Sequence, residues 1–219
     1  MKILIFSDTH LTEKFDPEKY RFLKKIIQPA DKVFILGDFW DGYLTEFDAF
    51  INSRWRNLFP YLQKKTIYLF GNHDPEKLSN KKRSLFCKKA EQKHKLKAAG
   101  RNIYLEHGNK LLPLIDDILN LKPEKKFHLN LLKYGQIILN KLINLRPSFF
   151  QQTYFRKKTL ELKNKIKPAK NELYIFGHTH CPMLDLEKGF GNTGFINYGL
   201  ASYITIENSQ ITLHKSRYR

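Results

Sequence analysis

The chain has 219 residues, a length that suits one domain or one domain with a large insertion. Its 42% hydrophobic and 14% aromatic residues exclude wholesale disorder, and no apolar run approaches the ~18 residues of a membrane span. Lys and Arg total 39 against 21 Asp and Glu, a formal charge of +18. Such a surface attracts nucleic acid, anionic membrane or phosphorylated substrates, although the excess of Lys over Arg follows equally from AT-rich coding.

From Met1 the chain enters an apolar run within two residues, which leaves no room for a signal peptide and points to the cytoplasm. Residues 2–7 read as a strand, 18–27 as a helix, 32–36 as a strand, 46–62 as a helix and 66–70 as a strand. Residues 81–99 read as a helix with Gly100 as its stop, and 102–106 as a strand. Residues 109–172 break the alternation and read as a helical cap inserted between two strands of a single domain that spans 1–219. Within this cap, Leu131, Tyr134, Ile138, Leu142 and Leu145 recur at spacings of three and four, one apolar helix face, and Pro113, Pro123, Pro147 and Pro168 mark helix boundaries. Residues 173–176 form the next strand, followed by short antiparallel strands at 195–198, 202–207 and 210–214, with Asn208-Ser209 as a hairpin turn. The alternation predicts an α/β fold with much parallel sheet. Net charges of +9 in 109–172 and +8 in 81–101 hold nearly all of the surplus. Cys87 and Cys181, the only cysteines, make neither a disulfide framework nor a thiolate zinc site.

Five of the eight histidines fall in short polar clusters at or just after strand ends: Asp8-Thr9-His10, Gly71-Asn72-His73-Asp74, His107-Gly108-Asn109 and Gly177-His178-Thr179-His180; Gly37-Asp38-Phe39-Trp40-Asp41 adds a cluster of carboxylates. In open α/β sheets ligands bind beyond the carboxyl ends of strands, so all five clusters can converge on one rim. Imidazoles, carboxylates and one amide without thiolate suit Mn, Fe, Co, Zn or Ni, and seven ligands suit two ions sharing a bridging carboxylate better than one ion. His94, His128 and His214 lie outside these clusters and read as ordinary structural histidines.

The ordered set resembles the calcineurin-like metallophosphoesterases, whose pattern is Asp-x-His, Gly-Asp-x-x-Asp, Gly-Asn-His-(Asp/Glu), His and Gly-His-x-His. The resemblance spans residues 8–180 and implies a four-layer αββα sandwich of two mixed sheets with helices outside. It also implies two divalent metal ions, Mn first among those named. Asp8, His10 and His180 would hold one ion, Asn72, His107 and His178 the other, and Asp38 would bridge them. His73 would contact phosphate and protonate the leaving oxygen, Asp74 would orient His73, and a metal-bridging hydroxide would attack phosphorus. Asp41 reads as a supporting residue rather than a ligand.

The motifs leave the phosphoester open. A compact chain with a basic, helical, apolar cap directly after His107 is similar to the UDP-2,3-diacylglucosamine hydrolases, which implies a pyrophosphate substrate on a nucleotide-linked lipid and peripheral contact with a membrane. Many of that family carry Arg where His73 stands, and His107-Gly108-Asn109 replaces their His-Gly-Asp. A metal-dependent nuclease is the second reading, favoured by the charge and by Tyr154-Phe155-Arg156-Lys157-Lys158. A non-catalytic interaction scaffold on the same fold is the third. Natural substrate and oligomeric state are left open.

Overall fold

The computed structural model describes residues 1–113 and 125–219. Strand β1 (Ile3–Phe6) lies at the centre of the first sheet, parallel to β2 (Lys32–Leu36), which continues to β3 (Thr66–Leu69) and β4 (Lys89–Glu91). On its other side β1 pairs antiparallel with β11 (Leu200–Glu207). The second sheet has the order β5 (Lys93–Ala98), β6 (Arg101–Glu106), β7 (Glu172–Phe176), β9 (Phe190–Asn192), β8 (Met183–Asp185), with β6, β7 and β9 parallel. The two-residue β10 (Ile196–Asn197) and β12 (Gln210–Arg217) complete the first sheet through β11.

Alternation along the strands builds four layers, because successive side chains point to opposite faces. Ile3, Ile5, Phe34, Leu36 and Leu69 meet Ile103, Leu105, Leu173 and Ile175 between the two sheets. The intervening residues Leu4, Phe6, Val33, Ile35 and Tyr68 face the outer helices α1 (Pro17–Ile27), α2 (Phe47–Asn52) and α3 (Phe59–Leu62), which contribute Leu23, Ile27, Phe50, Phe59 and Leu62. On the far side, Phe176 and Phe190 are covered by Leu162 of α6 (Arg156–Lys165), which follows α4 (Lys126–Leu145), α5 (Pro147–Phe150) and a π-type turn at Gln151–Phe155. The αββα arrangement expected from the motif pattern is therefore present.

Helix α1 starts where its sequence requires: Asp16 accepts from the amides of Glu18 and Lys19, and Pro17 occupies the first turn. The expected helix at 46–62 is instead interrupted at Ser53, whose Oγ receives the amide of Trp55 and starts a 3-10 segment, Arg54–Leu58. The expected helix at 81–99 is a misreading. A 3-10 turn (Lys81–Leu85) leads into β4 and β5, the latter with Lys93, Lys95 and Lys97 outward and Leu96 and Ala98 packed toward the inter-sheet core. Lys-rich composition suggested a helix, but the period-two pattern decides; outward lysines also protect a sheet edge from pairing with another chain. Gly100 is no helix stop. With Ala99 it forms a two-residue hairpin turn, both at positive φ, between the paired residues Ala98 and Arg101. Strands β8 and β9 were not foreseen.

The Asn208-Ser209 hairpin is present, joining Glu207 to Gln210, with φ of 51° and 61°. Both residues occupy the left-handed region that glycine enters without a Cβ penalty. Replacing Ser209 by Gly should stabilise the protein by about 0.5–1 kcal/mol; a urea denaturation midpoint that stays put or falls would contradict the assignment of strain to this turn.

Candidate dimetal site

All five clusters leave the carboxyl ends of their strands on one rim. Asp8-Thr9-His10 follows β1, Asp38 follows β2, Asn72-His73-Asp74 follows β3, His107 follows β6, and His178-Thr179-His180 follows β7. The loops pack so closely that side chains are excluded at particular points. A Cβ on Gly71 would stand 2.1 Å from Asp38 Oδ1, and one on Gly177 would stand 2.6 Å from Asp8 Oδ2. Asp8, His10, Asp38, His178 and His180, five of the seven expected ligands, have φ between 44° and 66°. Such backbone costs of order 1–3 kcal/mol per residue and persists where surrounding structure over-determines it.

The two central carboxylates are organised alike. Asp8 Oδ2 accepts from the amide of His178 at 3.0 Å and from the Ser7 hydroxyl, while its Oδ1 faces His180 Nε2 at 3.1 Å. Asp38 Oδ1 accepts from the amide of His73 at 2.9 Å, while its Oδ2 faces His107 Nε2 at 3.4 Å and His10 Nε2 at 3.9 Å. One oxygen of each carboxylate is thus held by the backbone and the other points into the pocket.

The imidazoles are oriented from behind. His107 Nδ1 donates to the carbonyl of Leu36 at 2.7 Å, and His178 Nε2 donates to that of Leu112 at 2.8 Å. A carbonyl only accepts, so each of these ring nitrogens carries hydrogen and, in the neutral ring, the other presents a lone pair. Those lone-pair nitrogens converge on Asn72 Oδ1, at 3.0 Å from His107 Nε2 and 3.1 Å from His178 Nδ1. Both nitrogens of His10 are buried with no hydrogen-bond partner among the described residues. Acceptors gathered against acceptors and a buried imidazole that faces two carboxylates without a hydrogen bond are what a cation site requires, and hydrogen-bonded outer partners of this kind fix ligand tautomers. Asp8, His10 and His180; His10, Asp38 and His73; and Asp8, Asp38 and His107 each bring donor atoms within 4.8 Å of one another. The residues fit a pair of divalent ions.

Without cations the charges perturb one another. Burial opposes ionisation of Asp38, but His107 and His73 hold it well below the usual carboxylate range. Burial also opposes protonation of His107, yet Asp38 raises it to about 10. Burial, reinforced by His107, depresses His178 to about 4. One imidazole is thus driven cationic where the ligand set would take a metal.

The structure differs from expectation over the partner of His73. Asp41, buried at the end of the second cluster, places Oδ1 3.1 Å from His73 Nδ1 and Oδ2 3.5 Å from His10 Nδ1. The Asp74 carboxylate instead accepts from the amides of Asp38, Phe39 and Gly71 at 2.9, 2.6 and 2.7 Å, tying the second and third clusters together. Burial, then the Asp38 charge, raises Asp74 to about 6. Two further residues were not among the expected site residues. Tyr43 places its ring 4.1 Å from that of His73, and its hydroxyl donates to the carbonyl of Asn72 at 3.0 Å. Phe155, from the π-type turn, packs 4.9 Å from the His180 ring, with Phe195 at 5.7 Å. His94 and His214 lie away from the site, bound to Glu91 and Thr205.

With the five clusters on one rim, the comparison with known proteins is direct: the profile of the calcineurin-like phosphoesterases matches residues 1–182. The chain belongs to the calcineurin-like phosphoesterase family. A search of curated proteins finds no match. Among solved structures, it is similar to YfcE, a phosphoesterase from E. coli, at 17% identity over 100% of both chains with a TM-score of 0.48. It is also similar to Vps29 from Entamoeba histolytica complexed with zinc, at 13% identity over 100% of both chains and a TM-score of 0.47. A third is protein TM1076 of Thermotoga maritima, at 18% identity over 99% and 98% of the two chains with a TM-score of 0.48.

One buried cation braces the first cluster from outside. Lys19 of α1 is 4% exposed, and its Nζ donates to the carbonyl of Thr9 and, at 3.0 Å, to Asn197 Oδ1. Burial lowers its pKa to about 7, against the opposing pull of Asp16. Between pH 7 and the ordinary lysine range, the unfolded chain keeps a proton the folded chain has released, so this group makes stability rise with pH. In urea titrations, wild type should gain on the order of 2 kcal/mol relative to Lys19→Met between pH 7 and 9; a difference that does not change with pH would show that the amine is not perturbed.

Proposed function

We propose that the protein is a dimetal-dependent phosphoester hydrolase. The observation that carries this reading is the convergence of buried, hydrogen-bond-acceptor atoms from five separate strand ends, among them His10 nitrogens that make no hydrogen bond. Asp8, His10 and His180 are assigned to one ion, Asn72, His107 and His178 to the other, and Asp38 to both, with manganese the first ion to test and iron, zinc, cobalt and nickel the others. Bound there, two divalent ions would supply Lewis-acid polarisation of the phosphoryl oxygens and acidify water.

The chain's own groups do the rest. His73 lies beside His10, with ring centroids 4.6 Å apart, and is assigned to contact the phosphoryl group and give a proton to the leaving oxygen. A proton on Nδ1 is held by Asp41, which sets the ring's orientation; Asp41 thereby takes the orienting role that the motif pattern assigned to Asp74. Asp74 is assigned instead to fixing the Asp38 turn by its three amide contacts.

For the substrate we favour a pyrophosphate linkage of a nucleotide-linked lipid, of the UDP-2,3-diacylglucosamine type. The apolar, basic segment that follows His107, whose Phe155 packs against the His180 ring, suits an amphiphilic phosphoester better than a nucleic acid backbone. A substrate panel with added manganese distinguishes the alternatives: release of UMP from a UDP-diacyl sugar supports the lipid reading. Salt-sensitive cleavage of DNA or RNA would replace it with a nuclease, and inertness toward bis(p-nitrophenyl) phosphate would leave a scaffold.

Asp38→Ala should abolish both metal binding by calorimetry and turnover, and near-normal activity in excess manganese would defeat the proposal. Asp41→Asn should retain metal and lose roughly 10–100-fold in turnover. An equal loss in Asp74→Asn with Asp41→Asn unaffected would return the orienting role to Asp74.

A further inference from the structure

The loop after β2 gives His73 more than the Asp41 carboxylate. Asp41 opens a tight turn: its Oδ1 accepts the amide of Tyr43 at 3.1 Å, and its carbonyl accepts the amides of Leu44 and Thr45. The turn doubles back on the third cluster. The Gly42 amide donates to the carbonyl of His73 at 3.0 Å, while the His73 amide donates to Asp38 Oδ1 at 2.9 Å. Both backbone polar groups of His73 are thus held by residues 38–42. Asp41 Oδ1, which takes the Tyr43 amide, also meets His73 Nδ1, so one oxygen sets both residues. A single hydrogen bond still lets an imidazole swing, because χ2 of histidine is a broad torsion. Tyr43, itself buried, closes that freedom from one face, with ring centroids 4.1 Å apart and planes inclined by 30°. The His10 ring meets the same imidazole edge-on, at 4.6 Å and 82°.

The far end of the same side chain reaches a second site residue. The Tyr43 hydroxyl donates to the carbonyl of Asn72 at 3.0 Å. A carbonyl only accepts, so the phenolic proton is committed to the backbone and is not one that Tyr43 gives to a substrate. We propose that Tyr43 is a positioning residue for two groups at once: its ring confines the His73 imidazole, and its hydroxyl anchors the backbone of Asn72. The inference rests on the hydrolase reading for what His73 and Asn72 do. It adds a residue through which proton delivery and metal holding are tuned from one side chain. The two effects are separable, because the ring acts on His73 and the hydroxyl on Asn72. A misplacement of about 1 Å in a reacting group can cost about a hundredfold in rate, so loss of a confining wall should register in turnover.

The test compares two diesters in the presence of manganese: bis(p-nitrophenyl) phosphate, whose leaving group departs without a proton, and diphenyl phosphate, whose phenolate leaves poorly unless protonated. Tyr43→Leu should lose roughly tenfold more kcat on diphenyl phosphate than on bis(p-nitrophenyl) phosphate, with KM little changed for either. In a His73→Ala background the same substitution should add no further leaving-group effect, because a residue that acts through another is not additive with it. Tyr43→Phe keeps the ring and should keep the wild-type ratio between the two esters, yet bind manganese about tenfold more weakly by calorimetry. A Tyr43→Leu loss equal on both esters, or additive with His73→Ala, would reduce the ring to packing and overturn its role. Unchanged manganese affinity in Tyr43→Phe would overturn the role of the hydroxyl, and that measurement stands even where the leucine variant fails to fold. Inertness of manganese-loaded wild type toward both esters would instead refute the hydrolase and with it the ring's part in proton delivery, while the affinity of Tyr43→Phe would still decide the hydroxyl's part.

Discussion

The structure depends on two buried carboxylates that must each do two things. Asp8 and Asp38 turn one oxygen to backbone amides from a different strand end and the other to imidazoles. The amide contacts lock the loops to one another; the remaining oxygens concentrate negative charge in a pocket from which water is largely excluded. Such charge is tolerated only beside cations. In the metal-free chain the compensation comes from protonated imidazole, chiefly His107. The ligand set that would hold metal is therefore also the set whose mutual repulsion metal would relieve, which would couple binding to loop order.

That arrangement explains the backbone around it. Left-handed conformations at five ligands aim side chains back over the strand ends, where an ordinary extended exit would point them away. The compensation lies in hydrogen bonds among the loops: Asp74 to three amides, Lys19 to the Thr9 carbonyl, and Asn192 to Gly177 and Thr179. These groups touch no expected ligand atom, yet they set where the ligands stand. The segment between β6 and β7 adds a different layer of control. Its π-type turn brings Phe155 against His180, so the same stretch that carries an exposed apolar stripe also packs against one ligand of the site.

Much of the site was legible because it is built from strand ends, and strand ends announce themselves locally. An apolar run followed by a short polar cluster of aspartate, asparagine or histidine is a signal contained in fewer than ten residues; its five occurrences in chain order marked the rim, and the resemblance they carry named the seven candidate ligands and His73. Strand β1, helix α1 and the Asn208-Ser209 hairpin were equally local, each set by alternation, a cap or turn chemistry. The reading failed where a local signal pointed two ways. Lys-His-Lys-Leu-Lys-Ala at 93–98 has helical composition and strand periodicity, and the strand won because β6 offered a partner and the inter-sheet core took Leu96.

The amino-acid order by itself determined the α/β alternation, the polar clusters after strand ends and the apolar periodicity of α4, because each rests on spacings within short segments; the four-layer sandwich was what the resemblance of those clusters implied. Only the tertiary structure decided that Asp41, not Asp74, meets the His73 ring, since Asp74 is its neighbour in sequence, Asp41 lies 32 residues away, and the choice turns on how two loops cross. It alone decided that Lys19 is buried behind the first cluster and that Phe155 borders the site. It also decided which side of α4 looks outward: periodicity reveals that a helix has an apolar face, but the rotation of that helix is set by the contacts of Asn140 and Ile143 with residues as far off as Tyr198 and Phe195 and as near as Phe155.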